Sequence, residues 1–173
     1  MDSHYDQVMK AREAAGQGSR QYFAYSTILD RAAFLEWRSQ HAYEFFDLPK
    51  GQLAEAQDVA LAYDFPSRWW GGRVAGLVDA PGKSVFGRLF EISELDWPII
   101  AHKEGGVTQM SVERAVKVKA GGKVIDAIAF ATNPVRQSVD GPISPRFVEA
   151  LVRGATAAEL PAGWIAQLQA SAR

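Results

Sequence analysis

The chain has 173 residues, 47% of them apolar, with a formal net charge of −1 and no cysteine. A chain of this length buries about 70% of the surface that its unfolded form exposes, so it needs neither metal nor disulfide to hold a core, and its apolar content excludes disorder of the whole. A near-zero charge without a basic stripe, polybasic patch or long apolar span argues against nucleic acid and membrane as partners, and the lack of cysteine removes disulfides, thiolate nucleophiles and thiolate zinc sites.

In chain order, residues 1–20 read as a polar lead-in with no apolar secretory core, so a cytoplasmic protein is the default. Within it "YDQVMKAREAA" predicts a short helix that "GQGS" ends. "QYFAYS" (21–26) predicts a first strand, and "ILDRAAFLEWRSQ" (28–40) a helix with Ile28, Ala32 and Leu35 at helical spacing. "AQDVALAYDFP" alternates, with Gln57, Val59, Leu61, Tyr63 and Phe65 on one face and Asp58, Ala60, Ala62 and Asp64 on the other. "WWGGRVAGLVDAPGKSVFGRLFEIS" predicts two strands joined at "DAPGKS".

"SELDWPIIAHKEGG" predicts a short helix, with Ser93 as N-cap, Asp96 at the third helical position, and Gly105 and Gly106 as terminators. "QMSVERAVKVKAGGKVIDAIAFATNP" predicts a hairpin turning at "AGGK". Its first strand turns Met110, Val112, Val116 and Val118 inward and places Arg114 on that apolar face; its second is apolar on both faces and so central. Ser144 and Pro145 start the first of two C-terminal helices. Without regular βα alternation the order predicts an α+β fold, a curved or barrel-like sheet of about six strands with flanking helices. Residues 21–173 form its single domain.

The search for chemistry begins with absences. His4, His41 and His102 are far apart in sequence and lack metal-ligand spacing, and no nucleophile elbow, phosphate loop or dinucleotide fingerprint occurs. The sequence therefore supports no metal and no cofactor. Two places remain. At the corner "YFAYSTILDR", backbone N–H groups without intrahelical partners can bind an anion, with the hydroxyls of Ser26 and Thr27 beside them; the same residues also serve as an ordinary N-cap. Glu104 follows an apolar helix and precedes two glycines. Facing a pocket, it would have a raised pKa suited to proton transfer; facing water, it would be a solvated helix end beside Lys103. Arg114 reads as one half of a structural ion pair, and Trp69-Trp70 as core, lid or pocket wall.

The segments, in this order, resemble the γ-glutamyl cyclotransferases and their AIG2-like relatives over roughly residues 21–170. "YFAYSTIL" is similar to the family's first strand and Tyr-Gly-Ser loop, "GGRVAGLVDAPGKSVFGRLFEIS" to its central hairpin, and "LDWPIIAHKEGG" to its Leu-Asp-x-x-Glu-Gly segment. "MSVERAVKV", "TNP" and "ISPRFVEALVRGATAAELPAGWIAQLQ" follow as they do in the family. The resemblance implies Glu104 as catalytic acid/base and Tyr25, Ser26, Thr27 and Ile28 as the substrate-binding loop. It implies a small mixed β-barrel of about six strands with flanking helices, a small-molecule γ-glutamyl substrate, no cofactor, and cyclisation to 5-oxoproline; it leaves a homodimer open. Three departures are Ser26 at the family's glycine, apolar Ile28 at its Asn or Leu, and Ser111 where tyrosine is frequent. A non-catalytic binding module on the same fold is the alternative, and an enzyme acting on an unrelated amide with Glu104 as base a third reading.

Overall fold

The computed structural model describes residues 3–171. Five strands close a barrel in the order β1-β3-β2-β4-β5: β1 (Ser19–Ala24), β2 (Gln52–Ser67), β3 (Gly72–Ser93), β4 (Ser111–Ala120) and β5 (Lys123–Thr132). All neighbours are antiparallel except the closing pair, where β1 runs parallel to β5 at Tyr22 and Ile128. Around the barrel lie α1 (His4–Glu13), α2 (Arg31–Gln40), α3 (Trp97–Lys103), α4 (Pro145–Ala157) and α5 (Ala162–Ala170). The α+β barrel with flanking helices is therefore as expected, with five strands in place of about six.

The strand count differs because "DAPGKS" does not end a strand. β3 continues through it, and the residues between Asp79 and Ser84 bulge out opposite Asp58, which stands at φ 58° and accepts from the Gly82 N–H through its carboxylate. That bulge, and a second between Tyr63 and Phe65, shift the register of β2. Each extra residue flips the faces that follow. Thus Ala54, Ala56, Val59 and Asp64 are buried, and the single-face alternation from Gln57 to Phe65 does not hold. The β2–β3 connection lies instead at Ser67–Gly72, with Trp69 and Trp70 at its tip and Gly71 at φ 72°.

Local chemistry sets the other boundaries. Gly121 and Gly122, both at positive φ, turn the β4–β5 hairpin. Val116 and Val118 are buried, while Met110 and Val112 at the start of β4 are exposed. Arg114 pairs with Asp79 at 2.8 Å, the structural role expected of it. Ser144 accepts from the Phe147 N–H and caps α4, with Pro145 at its first position. Ser93 and Asp96 exchange hydrogen bonds, but they close the turn before α3, whose N-cap is Asp96 itself. The lead-in carries α1, which buries Val8 and holds Asp96 through Arg12 at 2.7 Å.

A 3-10 turn over Thr27–Leu29 joins β1 to α2, and α2 buries Phe34 rather than Ala32, which is exposed. Helix α4 backs this turn. Gly154, inside α4, lies so close that a Cβ there would stand 2.8 Å from the Asp30 nitrogen and 3.0 Å from the Leu29 carbonyl carbon. Backbone cannot yield as a side-chain tip can. Gly154→Ala is expected to lower stability by about 1–3 kcal/mol, as overpacking does, although alanine normally favours a helix; urea denaturation measures it.

Candidate functional site

The cavity forms where the barrel meets α2 and the end of α3. It encloses about 470 Å³. Tyr25, Ser26 and Thr27 line one side, Glu104, Lys103 and Gly105 another, and α2 contributes Glu36 and Trp37. Ile28 is not among the lining residues; it is buried in the core at 2% exposure. The sequence-expected site residues thus meet at one cavity, except Ile28, whose side chain is packed into the core.

Glu104 owes its position to backbone closure. It is the C-cap of α3, followed by Gly105 at φ 87°. The Gly105 N–H donates to the His102 carbonyl at 3.2 Å and the Gly106 N–H to the Ala101 carbonyl at 2.7 Å. These two bonds make a Schellman motif, which needs the left-handed residue that glycine supplies without penalty. The chain returns at once: Met110 and Ser111 both donate to the Gly105 carbonyl. The Leu95-Asp96 pair begins the helix that Glu104 ends, so the likeness to a Leu-Asp-x-x-Glu-Gly segment resides at its Glu-Gly end.

One oxygen of Glu104 is held by Tyr22, whose hydroxyl donates to Oε1 at 2.6 Å. Tyr22 is 1% exposed, on β1 among Phe90, Trp97 and Phe130. Its phenol stays protonated, because burial and the adjacent Glu104 carboxylate push its pKa well up. Glu104 Oε2 accepts no hydrogen bond from the described residues. Burial raises the pKa of Glu104, while Lys103 and the Tyr22 hydroxyl oppose the rise. The solvated helix end is therefore not what forms: the carboxylate is partly enclosed, anchored on one oxygen and free on the other.

On the same cavity, the backbone N–H groups of Ser26 and Thr27 donate to no backbone carbonyl of the described residues, while Leu29 and Asp30 donate back to Ser26 and Thr27. Unpaired amides beside a cavity are ready donors for an anion. Ser26 stands at φ −112° and ψ −154°, extended backbone that requires no glycine. Tyr25 anchors the loop through its hydroxyl, which donates to the Phe130 carbonyl. At the base, Asp64 accepts from Thr132 at 2.7 Å and Gln137 at 2.9 Å.

Tyr22 and the imidazole wall escape sequence reasoning. In "QYFAYS" Tyr22 is one aromatic among several, with nothing to mark a partner across the fold. The three histidines, distant in sequence, come together: His102 lies 5.2 Å from His41 and 5.6 Å from His4 between ring centroids. Among the described residues no group of acidic or imidazole side chains is arranged to hold a metal ion. His102 and Lys103 both line the cavity.

Two outcomes are expected. Tyr22→Phe removes the donor that favours ionised Glu104, so the Glu104 pKa rises further, as NMR titration of its carboxyl carbon reads. Glu104 also links stability to pH: its folded pKa lies above the ordinary 4.5, so its contribution is complete below that value and is lost as pH rises through the folded one. The stability of Glu104→Gln relative to the natural protein should therefore improve as pH is raised from below 4.5 toward neutrality, followed by thermal melts across the range.

Residues 84–168 match the model of the AIG2-like family. No curated protein matches the chain. Among solved structures, a γ-glutamyl cyclotransferase is similar with a TM-score of 0.71 and 23% identity, over 88% of each chain. An uncharacterized protein of Homo sapiens aligns with a TM-score of 0.69 and 24% identity, over 88% of this chain and 87% of that one. YkqA from Bacillus subtilis aligns at 0.74 with 17% identity, over 97% of this chain and 58% of its own. At such identities the likeness is one of fold. Among the described residues no helix is long and apolar enough to cross a membrane. Over residues 84–168 the chain thus resembles the AIG2-like family, and its fold is like that seen in a γ-glutamyl cyclotransferase.

Proposed function

We propose that the protein is a γ-glutamyl cyclotransferase that releases 5-oxoproline from a γ-glutamyl amide without a cofactor. One observation carries the reading: Glu104, anchored by Tyr22 on one oxygen and free on the other, shares a cavity with the Tyr25–Thr27 loop and its unpaired amides. A γ-glutamyl compound brings its own nucleophile. Its α-amine attacks the γ-carbonyl, a five-membered ring closes, and the amide C–N bond breaks. Holding the chain in the folded conformer gains the intramolecular advantage.

The amine is protonated at neutral pH, so a base must take a proton before or during attack, and the leaving nitrogen needs one afterwards. Glu104 Oε2 serves both steps, and its burial-raised pKa brings it closer to the operating pH. The loop amides receive the glutamyl α-carboxylate or the developing oxyanion. The loop leaves room for a substrate. Ser26 adopts a conformation open to any residue, and Ile28 is turned into the core, so neither departure obstructs the cavity.

The test is 5-oxoproline release from a panel of γ-glutamyl amino acids and γ-glutamyl amines. The natural protein should turn over at least one, and Glu104→Gln should lose about 10²- to 10⁴-fold in kcat, the usual range for a positioned acid/base. Equal turnover by both proteins would remove Glu104 from the reaction.

A further inference from the structure

Lys103 sits beside the proposed acid/base and faces the same cavity. The lining holds two side-chain carboxyl groups, Glu36 and Glu104, and one side-chain amine, Lys103. Its nitrogen lies 5.7 Å from the ring centroid of Trp37, within reach of a cation–π contact. Among the described residues no carboxylate comes within 4 Å of it, and it donates no hydrogen bond. Asp30, which contributes to its field, is itself held by Arg153 at 3.0 Å.

A partly enclosed ammonium without an ion-pair or hydrogen-bond partner is costly, and sites that keep one commonly do so for a ligand. His102 does not take its place. His102 is pushed down to about 4 by burial and by its two histidine neighbours, so it is neutral, and its Nδ1 faces the Tyr43 hydroxyl at 2.8 Å. The Nδ1 of His41 lies 2.7 Å from the Trp37 carbonyl.

We propose that Lys103 pairs with a carboxylate of the γ-glutamyl substrate and so makes the cavity selective for an anionic group beside the scissile amide. This rests on the γ-glutamyl reading of the cavity. Such a substrate has two carboxylates to offer: the α-carboxylate of the glutamyl unit and, where the leaving group is an amino acid, the carboxylate of that group. The chemistry of the pairing is the same for both. Lys103 is a specificity residue, since the ring closure itself requires only the amine, the carbonyl and the proton carrier.

Calorimetric binding tests it in the Glu104→Gln background, where turnover does not consume the probes. Three are used: γ-glutamyl-alanine, γ-glutamyl-ethylamide, which lacks the leaving-side carboxylate, and 4-aminobutanoyl-alanine, which lacks the α-carboxylate. Lys103→Met is expected to weaken γ-glutamyl-alanine by about 10- to 100-fold, the usual range for one charge-assisted contact. It should spare the analogue lacking the carboxylate that Lys103 holds and weaken the other as much as the parent. The spared analogue identifies the carboxylate. An equal loss for all three probes, no change for any, or no binding of any would overturn the proposal. The two readings fail separately. Binding with the expected Lys103 dependence but no 5-oxoproline from the natural protein overturns the reaction and leaves Lys103 standing. Turnover by natural and Lys103→Met proteins with the same preference among probes overturns Lys103 and leaves the reaction standing.

Discussion

The hydrogen bond from Tyr22 to Glu104 ties the two halves of the site together. It joins the first strand to the end of α3, across 82 positions of sequence. A short bond from a phenol that stays protonated fixes one carboxylate oxygen and leaves the other available. The parallel closure of β1 on β5 places Tyr22 where it can reach, and its ring is set by Phe90, Trp97 and Phe130. The barrel therefore supplies the aim of the carboxylate, while the loop leaving the same strand supplies the amides of the same cavity. One strand, six residues long, organises both sides of the cavity.

Electrostatically the site holds opposed tendencies in a small volume. Burial pushes Glu104 toward its neutral form and Lys103 toward its own. Each resists the other's shift, as neighbouring opposite charges do. In the proposed reaction that balance matters, because the same carboxylate must hold a proton briefly and then release it. The nearby imidazoles add little charge at neutral pH where burial is deep, as at His102.

Much of this was legible in the sequence wherever the cause is local. The glycine pair after Glu104, the "AGGK" turn and the Ser144-Pro145 start of α4 each carry their own backbone chemistry, and each stands where it was expected. What was not legible depends on distant pairing. The bulge opposite Asp58 is invisible until β3 is known to lie alongside, so the sequence reads β3 as two strands and β2 as an unbroken alternation. Ile28 reads as a loop residue beside Ser26 and Thr27, yet its side chain is packed into the core. The convergence of three histidines, and the choice of Tyr22 among the aromatics of β1, likewise follow only from closure of the barrel.

The Schellman closure behind Glu104 separates what must stay constant from what can vary. Two backbone hydrogen bonds and a left-handed glycine determine where the carboxylate sits, and none of them involves a cavity side chain other than glycine. The loop amides are backbone as well. The place of Glu104 and the amides of the loop are thus set by main chain, while the walls, including Lys103, Trp37 and Ser111, are side chains. A lineage can exchange those walls one at a time, and with them the compounds admitted, without rebuilding the centre they surround.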